Sequence, residues 1–356
     1  MKKLLYVTAF PPNKMSGGQY FSMNALRDLA EKYCIDLIYF KYGDHKAVIP
    51  DGVTLLKEYS PRLSNCLHHP LMYPIYTKRY DADLKKMLQS IAQEYDVVYF
   101  DFSQVSIYSL YLTHPCKVIR CHDIMAQKFG RAKSPFAAMI KSNEKKILKS
   151  AKMVFVPSKK DAEIIKNTYE VKALYTNEYI VNQSFDYDTP GACDNRFVFF
   201  GLWSRKENLD GLRWFLEHAY PRLSNQRKSE LAVMGGGMPE DFNDQYLKPR
   251  DIQYLGYVED IYSQIAGAAA VVAPLFQGAG VKVKVIDSFV TGTPVIGTEV
   301  AFEGLPNLDG LQIRANTAEE FADAINNHTA CDSETKKKFS DEFYRIYNKN
   351  HISDYL

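Results

Sequence analysis

Residues 278–287 read Gly-Ala-Gly-Val-Lys-Val-Lys-Val-Ile-Asp, so that glycines, two ammonium groups and a carboxylate fall within ten positions. If a helix opens near Gly280, its first amides, those of Gly280 and Val281, lack partners, and the positive end of the helix dipole favours a diphosphate there. At about 100° per residue, Lys284 lies roughly 40° and Asp287 roughly 20° from Gly280 around the axis, whereas Lys282 lies roughly 160° away. On that wheel Lys284 can neutralise phosphate oxygens and Asp287 can accept hydrogen bonds from a ribose diol. An ordinary surface ion pair between Lys284 and Asp287 is the alternative, and the spacing alone leaves both open. A second candidate is His122-Asp123, a titratable pair at the end of the strand expected over Lys117–Cys121; such pairs at strand ends are site candidates, or simple helix caps.

Elements that would position these groups are visible on either side of them. Ala270-Val271-Val272-Ala273-Pro274-Leu275 reads as a buried parallel strand, and Thr293-Pro294-Val295-Ile296-Gly297-Thr298 as the next, which makes one βαβ unit with a glycine turn after its first strand. The first half alternates in the same way: strands at 4–8, 35–40, 53–56, 96–100 and 117–121, with a helix over 19–31. Ser16-Gly17-Gly18 lies between the first strand and that helix, where such sheets bind ligands. A polar stretch at 182–195 containing Pro190-Gly191 reads as a linker. The fold expected is α/β with two doubly wound domains, 1–185 and 186–339, the first completed by a terminal helix over 340–356.

Gly278-Ala279-Gly280-Val281-Lys282-Val283-Lys284-Val285-Ile286-Asp287, followed by Gly292-Thr293-Pro294-Val295-Ile296 and Glu303-Gly304-Leu305, resembles the donor-site signature of glycosyltransferase family 4 in its glycine-rich variant. Ala279 stands where the first Glu of the Glu-x7-Glu pattern would be, and Asp287 where the second would be. The resemblance implies a GT-B fold, two Rossmann-like domains facing across a cleft. It implies Gly278 and Ala279 beside the donor sugar, Gly17 and Gly18 facing the donor diphosphate, and His122 (with Asp123) pointing at the donor sugar. It implies a basic residue after strand Phe197–Phe200 on the diphosphate; Lys206 fits by its spacing to Asn208-Leu209-Asp210-Gly211, with Arg205 in reserve. Tyr257 and Val258 correspond to the loop that meets the nucleobase. Transfer is implied to retain the anomeric configuration without a metal or other cofactor, the departing phosphate taking the acceptor proton.

Composition narrows the class. The chain has 356 residues, 46% apolar and 24% charged, as expected for a globular protein of two domains, and no apolar run approaches the length of a membrane span. Met1–Phe10 mimics a signal sequence but is cut short by Pro11-Pro12 and reads better as a strand. Six scattered cysteines without a Cys-x-x-Cys pair point to free thiols, and Cys66 with His68-His69 makes a poor zinc set. The net charge of +2 conceals a split: residues 1–185 carry 27 Lys+Arg against 17 Asp+Glu, and residues 186–356 carry 17 against 25, that is +10 and −8. Lys141, Lys145, Lys146, Lys149 and Lys152 form a basic stripe at helical spacing, suited to an anionic membrane surface or to plain solvation.

The expected function is transfer of a sugar from a UDP- or GDP-type donor to a hydroxyl of a glycan or lipid-linked glycan, with no nucleic acid involved, in surface polysaccharide synthesis; the expected place is the cytoplasm, free or peripheral on the inner membrane face. A non-catalytic glycosyltransferase-like subunit and a nucleotide-sugar epimerase of the same fold are the competing readings.

Overall fold

The computed structural model describes residues 1–14, 16–177, 194–347 and 349–356. The chain forms two compact units, Met1–Ile180 with Asn348–Leu356, and Val181–Tyr347. The linker expected at 182–195 lies, apart from its last two residues, outside the described residues.

The first unit holds a seven-stranded sheet of β1 (Lys2–Thr8), β2 (Tyr33–Phe40), β3 (Val53–Tyr59), β4 (Val97–Asp101), β5 (Lys117–Arg120), β6 (Met153–Val156) and β7 (Ala173–Tyr175), in the order β3-β2-β1-β4-β5-β6-β7. All its pairings are parallel. Successive side chains of a strand face opposite sides, and here both sides are covered. Leu5, Val7, Val98 and Phe100 enter one core, while Leu4, Tyr6, Val97 and Tyr99 enter the other. Continuous apolar runs are what a parallel sheet buried on two faces requires. At the edge, β3 is mostly exposed and carries Lys57 and Glu58, charges that discourage further strand pairing.

The second unit holds β8 (Phe197–Phe200), β9 (Leu231–Met234), β10 (Gln253–Tyr254), β11 (Ala270–Ala273), β12 (Val295–Gly297) and β13 (Gln312–Arg314), in the order β10-β9-β8-β11-β12-β13. Again every pairing is parallel. Both sheets are doubly wound, and each has a point where the strand order reverses, β1/β4 in the first and β8/β11 in the second. Ligands of such sheets bind beyond the carboxyl ends of the strands at that point.

The terminal helix differs from expectation. It spans Ser333–Ile346 within the second unit, where the buried Lys336 ammonium donates to the carbonyls of Ala266 (2.5 Å) and Ala268 (2.7 Å). Tyr347 leaves the helix with extended backbone, φ −88° and ψ 167°, and residues 349–356 return to the first unit. There Ser353 donates to Asp28 from its backbone N–H (3.0 Å) and its hydroxyl (2.8 Å), and Ile352 is fully buried beside Leu4 and Tyr6. Among the described residues no helix is long and apolar enough to cross a membrane.

Candidate functional site

In the second unit the loops after β8 and β11 both emerge at the switch point. The helix after β11 begins at Val283, with Lys282 as its N-cap (φ −90°, ψ 105°), later than the sequence suggests. Gly278 (φ 108°) and Gly280 (φ 68°) take backbone conformations that place both in the loop. Gly280 is therefore not on the helix, and angles counted from it do not apply. Lys282, expected to turn away, does the opposite: its Nζ donates to the Gly280 carbonyl at 2.6 Å and lies 3.9 Å from the buried Glu303 carboxylate. The amides of Gly280 and Val281 belong to this loop, which Lys282 braces from inside. Ala279 is buried, 8% exposed.

Lys284 sits in the first helical turn, as the helix assignment requires, and its Nζ donates to Asn208 Oδ1 at 3.0 Å. Asn208 in turn donates to the Leu202 carbonyl at 2.9 Å, which ties the loop after β8 to the helix after β11. A Cβ at Gly201 (φ 159°) would stand 2.9 Å from Asn208 Nδ2 and 3.1 Å from Lys284 Nζ. Desolvation is the main cause that lowers the Lys284 ammonium to about 8; the Glu207 carboxylate opposes the shift and the Arg205 guanidinium adds to it. An ammonium held short of counter-charge in this way is primed for an anion.

The two other basic candidates separate. Lys206, the first residue of the helix Lys206–Trp214, is 81% exposed and pairs with Asp210 one turn on. Arg205, the N-cap of that helix, is the cation whose field reaches Lys284. Asp287 accepts a hydrogen bond from the Tyr262 hydroxyl at 3.1 Å. Tyr257 is 72% exposed and Val258 half-buried in the loop after β10, a loop tied to the glycine run by the bond from Gly235 N–H to the Gly256 carbonyl, 2.6 Å. The run Gly235-Gly236-Gly237 is used for packing: Trp203 N–H donates to the Gly236 carbonyl at 2.9 Å, and the Tyr254 hydroxyl to the Gly235 carbonyl at 2.8 Å.

In the first unit the helix Gly17–Ala30 starts at Gly17, with Ser16 as N-cap, two residues before the expected start. His122 Nε2 lies 2.8 Å from Asp101 Oδ1, and the Ser22 hydroxyl donates to the other oxygen of the same carboxylate. Phe102, held at φ 73°, stacks on the imidazole with centroids 3.8 Å apart and planes 14° from parallel. Gly18 completes the enclosure, since a Cβ there would stand 3.0 Å from the Phe102 ring and 3.9 Å from His122 Nδ1. Asp101 is fully buried and His122 only 12% exposed. Burial alone would raise the Asp101 carboxyl; the imidazole, the Arg120 guanidinium and the Ser22 hydroxyl outweigh it and hold the group below its ordinary value. A carboxylate can only accept, so Nε2 carries hydrogen and Nδ1 is the nitrogen left for a ligand.

Asp123 takes no part in that arrangement and pairs with Lys128 at 3.1 Å. Sequence reasoning missed Asp101, Ser22, Asn208, Tyr262 and the bracing role of Lys282 and Glu303. For Asp101 a signal existed: an acid closing the apolar strand Val97-Val98-Tyr99-Phe100. The lysine stripe is also broken up. Lys145 and Lys149 share Glu170 at 3.2 and 3.4 Å, and Lys152 falls beyond the helix Ala137–Lys149. Among the described residues no three His, Cys, Asp or Glu side chains gather as a metal site would need.

Residues 194–330 match the family of Glycosyl transferases group 1. An uncharacterized 44.6 kDa protein in the cps region of Klebsiella pneumoniae is 25% identical over 171 residues, 45% of this chain and 44% of that relative; the match thus spans less than half of its length. Among solved structures, HepE from Anabaena in complex with UDP is similar with a TM-score of 0.63 and 15% identity, covering 99% of both chains. WaaG, a glycosyltransferase involved in lipopolysaccharide biosynthesis, gives 0.66 at 14% identity over 98% of this chain and 95% of that one. Sucrose-phosphate synthase from Thermosynechococcus elongatus gives 0.66 at 16% identity over 98% and 95%. At such identities the likeness shows the fold, two parallel-sheet Rossmann-like units of the kind found in GT-B glycosyltransferases.

Proposed function

We propose that this protein is a glycosyltransferase that moves a sugar, with retention of configuration, from a nucleoside-diphosphate donor to a hydroxyl of a glycan or lipid-linked glycan in surface polysaccharide synthesis. The observation that carries the reading is the desolvated Lys284 ammonium, held by Asn208 in the first turn of the helix after β11, inside the segment that matches the group 1 family. Lys284, Arg205 and the loop amides would offset charge on the departing diphosphate, so the reaction is proposed to need no metal and no resident cofactor. In the second unit Asp287 is proposed to take the ribose, Tyr257 and Val258 the base, and the Gly278-Ala279 loop the sugar, after the glycine-rich pattern of family 4; a separate proposal, for the first unit, gives His122 a role in turnover. UDP is the first nucleotide to test, because HepE structures of similar fold hold UDP and UDP-glucose. The capsule setting is that of the Klebsiella relative.

The pH dependence of UDP binding tests this directly. Lys284 must be charged to hold an anion, and its folded value of about 8 lies below the 10.5 of a free lysine. Affinity is therefore full below pH 8 and falls about tenfold per unit above it, as the ammonium deprotonates. Stability moves the other way: the unfolded chain keeps the proton between about 8 and 10.5, so Lys284 destabilises the fold fully below pH 8 and less as pH rises through that window. Titration calorimetry across pH 7 to 10 on wild type and Lys284→Met should show the inflection only in the former; the same profile in both would remove Lys284 from the site.

Asp287→Asn should weaken UDP binding by about 1.5–3 kcal/mol, the range for a hydrogen bond to a charged group. Unfolding stability should change less. If stability drops while affinity per folded molecule holds, the Tyr262–Asp287 bond is purely structural. Binding of UDP without transfer from any UDP-sugar would point to the non-catalytic subunit.

A further inference from the structure

The first unit displays an apolar surface that its own core does not cover. Leu63, Leu67 and Leu71 are 78%, 82% and 84% exposed, Phe136 is 49% and Met139 38% exposed. A pocket of about 430 Å³ opens at Phe136 and Met139, lined also by Cys66, Pro70, Met72, Tyr73 and Pro74. The segment is firmly built. The buried Asn143 accepts the Tyr73 N–H at 2.8 Å and donates to the Leu71 carbonyl at 3.4 Å. Tyr73 packs on Phe129 and Phe136 with centroids 5.3 and 5.6 Å apart, and His69 sits edge-on to Tyr80 at 4.3 Å. Large exposed apolar side chains on such a scaffold mark a docking face.

Charge identifies the occupant. Residues 60–80 and 124–143, from which the named side chains come, contain no Asp or Glu. They contain the exposed cations Arg62, Lys133 and Lys141, while Lys128 is already paired with Asp123. Two copies of the chain meeting through this face would bring like charges together, whereas an anionic bilayer offers both an apolar interior and opposite charge. We infer that this face docks on an anionic lipid surface, with Leu63, Leu67, Leu71 and Phe136 entering the head-group boundary and Arg62, Lys133 and Lys141 meeting the head groups. The inference deepens the reading of a lipid-linked acceptor and rests on it for its biological purpose; the binding itself is testable without any donor.

Co-sedimentation of the full chain with phosphatidylcholine vesicles, with and without phosphatidylserine, is the test. Binding is expected only with phosphatidylserine, and it should weaken between about 0.1 M and 1 M salt as the Debye length shrinks from about 10 to about 3 Å. Leu67→Glu/Leu71→Glu should lower vesicle affinity about tenfold or more, and Arg62→Ala or Lys133→Ala about fivefold each, with thermal unfolding and UDP binding unchanged. Lys145→Glu/Lys149→Glu should matter less than Arg62→Ala/Lys133→Ala, since Glu170 already occupies both lysines. No binding to phosphatidylserine vesicles at low salt, or equal binding by the leucine variant, overturns the inference. So does a wild-type dimer in sedimentation velocity that the leucine variant abolishes, because it would give the face to a second copy. Absence of UDP binding would instead sink the nucleotide-sugar reading and leave the vesicle result standing.

Discussion

Asp101→Asn is expected to cut sugar-transfer turnover about 10²- to 10³-fold, the size of losing one preorganised polar contact to a transition state, while UDP affinity stays within about twofold. Asp101 acts as a positioning residue. Its carboxylate receives His122 and Ser22, and only an acceptor at that place keeps hydrogen on Nε2 and leaves Nδ1 toward Gly18. An asparagine amide can turn its NH2 toward Nε2, which reverses the imidazole and spoils Nδ1 as a ligand. His122→Ala should lose turnover to a similar degree with little loss of UDP binding. The readout that separates positioning from mere stability is the ¹⁵N signature of the His122 tautomer, which should change in Asp101→Asn. Some stability is lost too, about 1–3 kcal/mol for the broken bonds. Because the folded carboxyl lies below its unfolded value near 3.8, the wild-type contribution is complete above that value and disappears as pH falls through the folded one. An unchanged tautomer and wild-type turnover would return the Asp101–His122 pair to a purely structural role.

Gly235→Ala should destabilise the second unit by about 3 kcal/mol or more, whereas Gly236→Ala, one residue on, should be nearly neutral. A Cβ at Gly235 would stand 2.0 Å from the Gly201 carbonyl oxygen, with φ at 115°, while one at Gly236 meets nothing within 4 Å. The obstacle is backbone, which cannot rotate aside as a side chain would, and strained backbone adds about 1–3 kcal/mol. Since Gly201 also borders Asn208 and Lys284, displacing it should weaken UDP binding in whatever fraction still folds. Denaturant unfolding of both variants decides the matter, and equal midpoints would show that the two loops are not in contact.

Much of this architecture was legible because parallel sheets write themselves as apolar runs. Leu4–Thr8, Ile35–Phe40, Phe197–Phe200 and Ala270–Ala273 are strands in the structure, and the alternation with helices gave the doubly wound class. The short strands β7, β10 and β13 carry no such run and were not visible. Helix starts are less legible, because glycine permits both a helical turn and a positive φ, so that Gly278 and Gly280 read equally well as an N-terminus or as the loop they form, and angles counted from Gly280 depend on which it is. Lys284 and Asp287 keep their three-residue spacing wherever the helix begins, and each meets a partner that the spacing does not reveal, Asn208 and Tyr262 respectively. Partners from distant strands were out of reach altogether. Asp101 meets His122 because β4 and β5 are adjacent, with Asp101 beside Arg120, and Asn208 meets Lys284 because β8 lies next to β11; pairings of that kind exist only once the sheet order is known.

The return of residues 349–356 to the first unit has a consequence for the order in which the protein matures. Asp28 obtains its two bonds from Ser353, and Asn177 its contacts with the backbone N–H groups of Lys349 and Asn350 at 3.1 and 3.0 Å, only from chain that leaves the ribosome after all of 194–347. Domains emerging in sequence usually close one after the other. Here the unit that begins first is finished last: during synthesis its helix Gly17–Ala30 must wait, with Asp28 open to water, until the second unit has been made and the chain has come back.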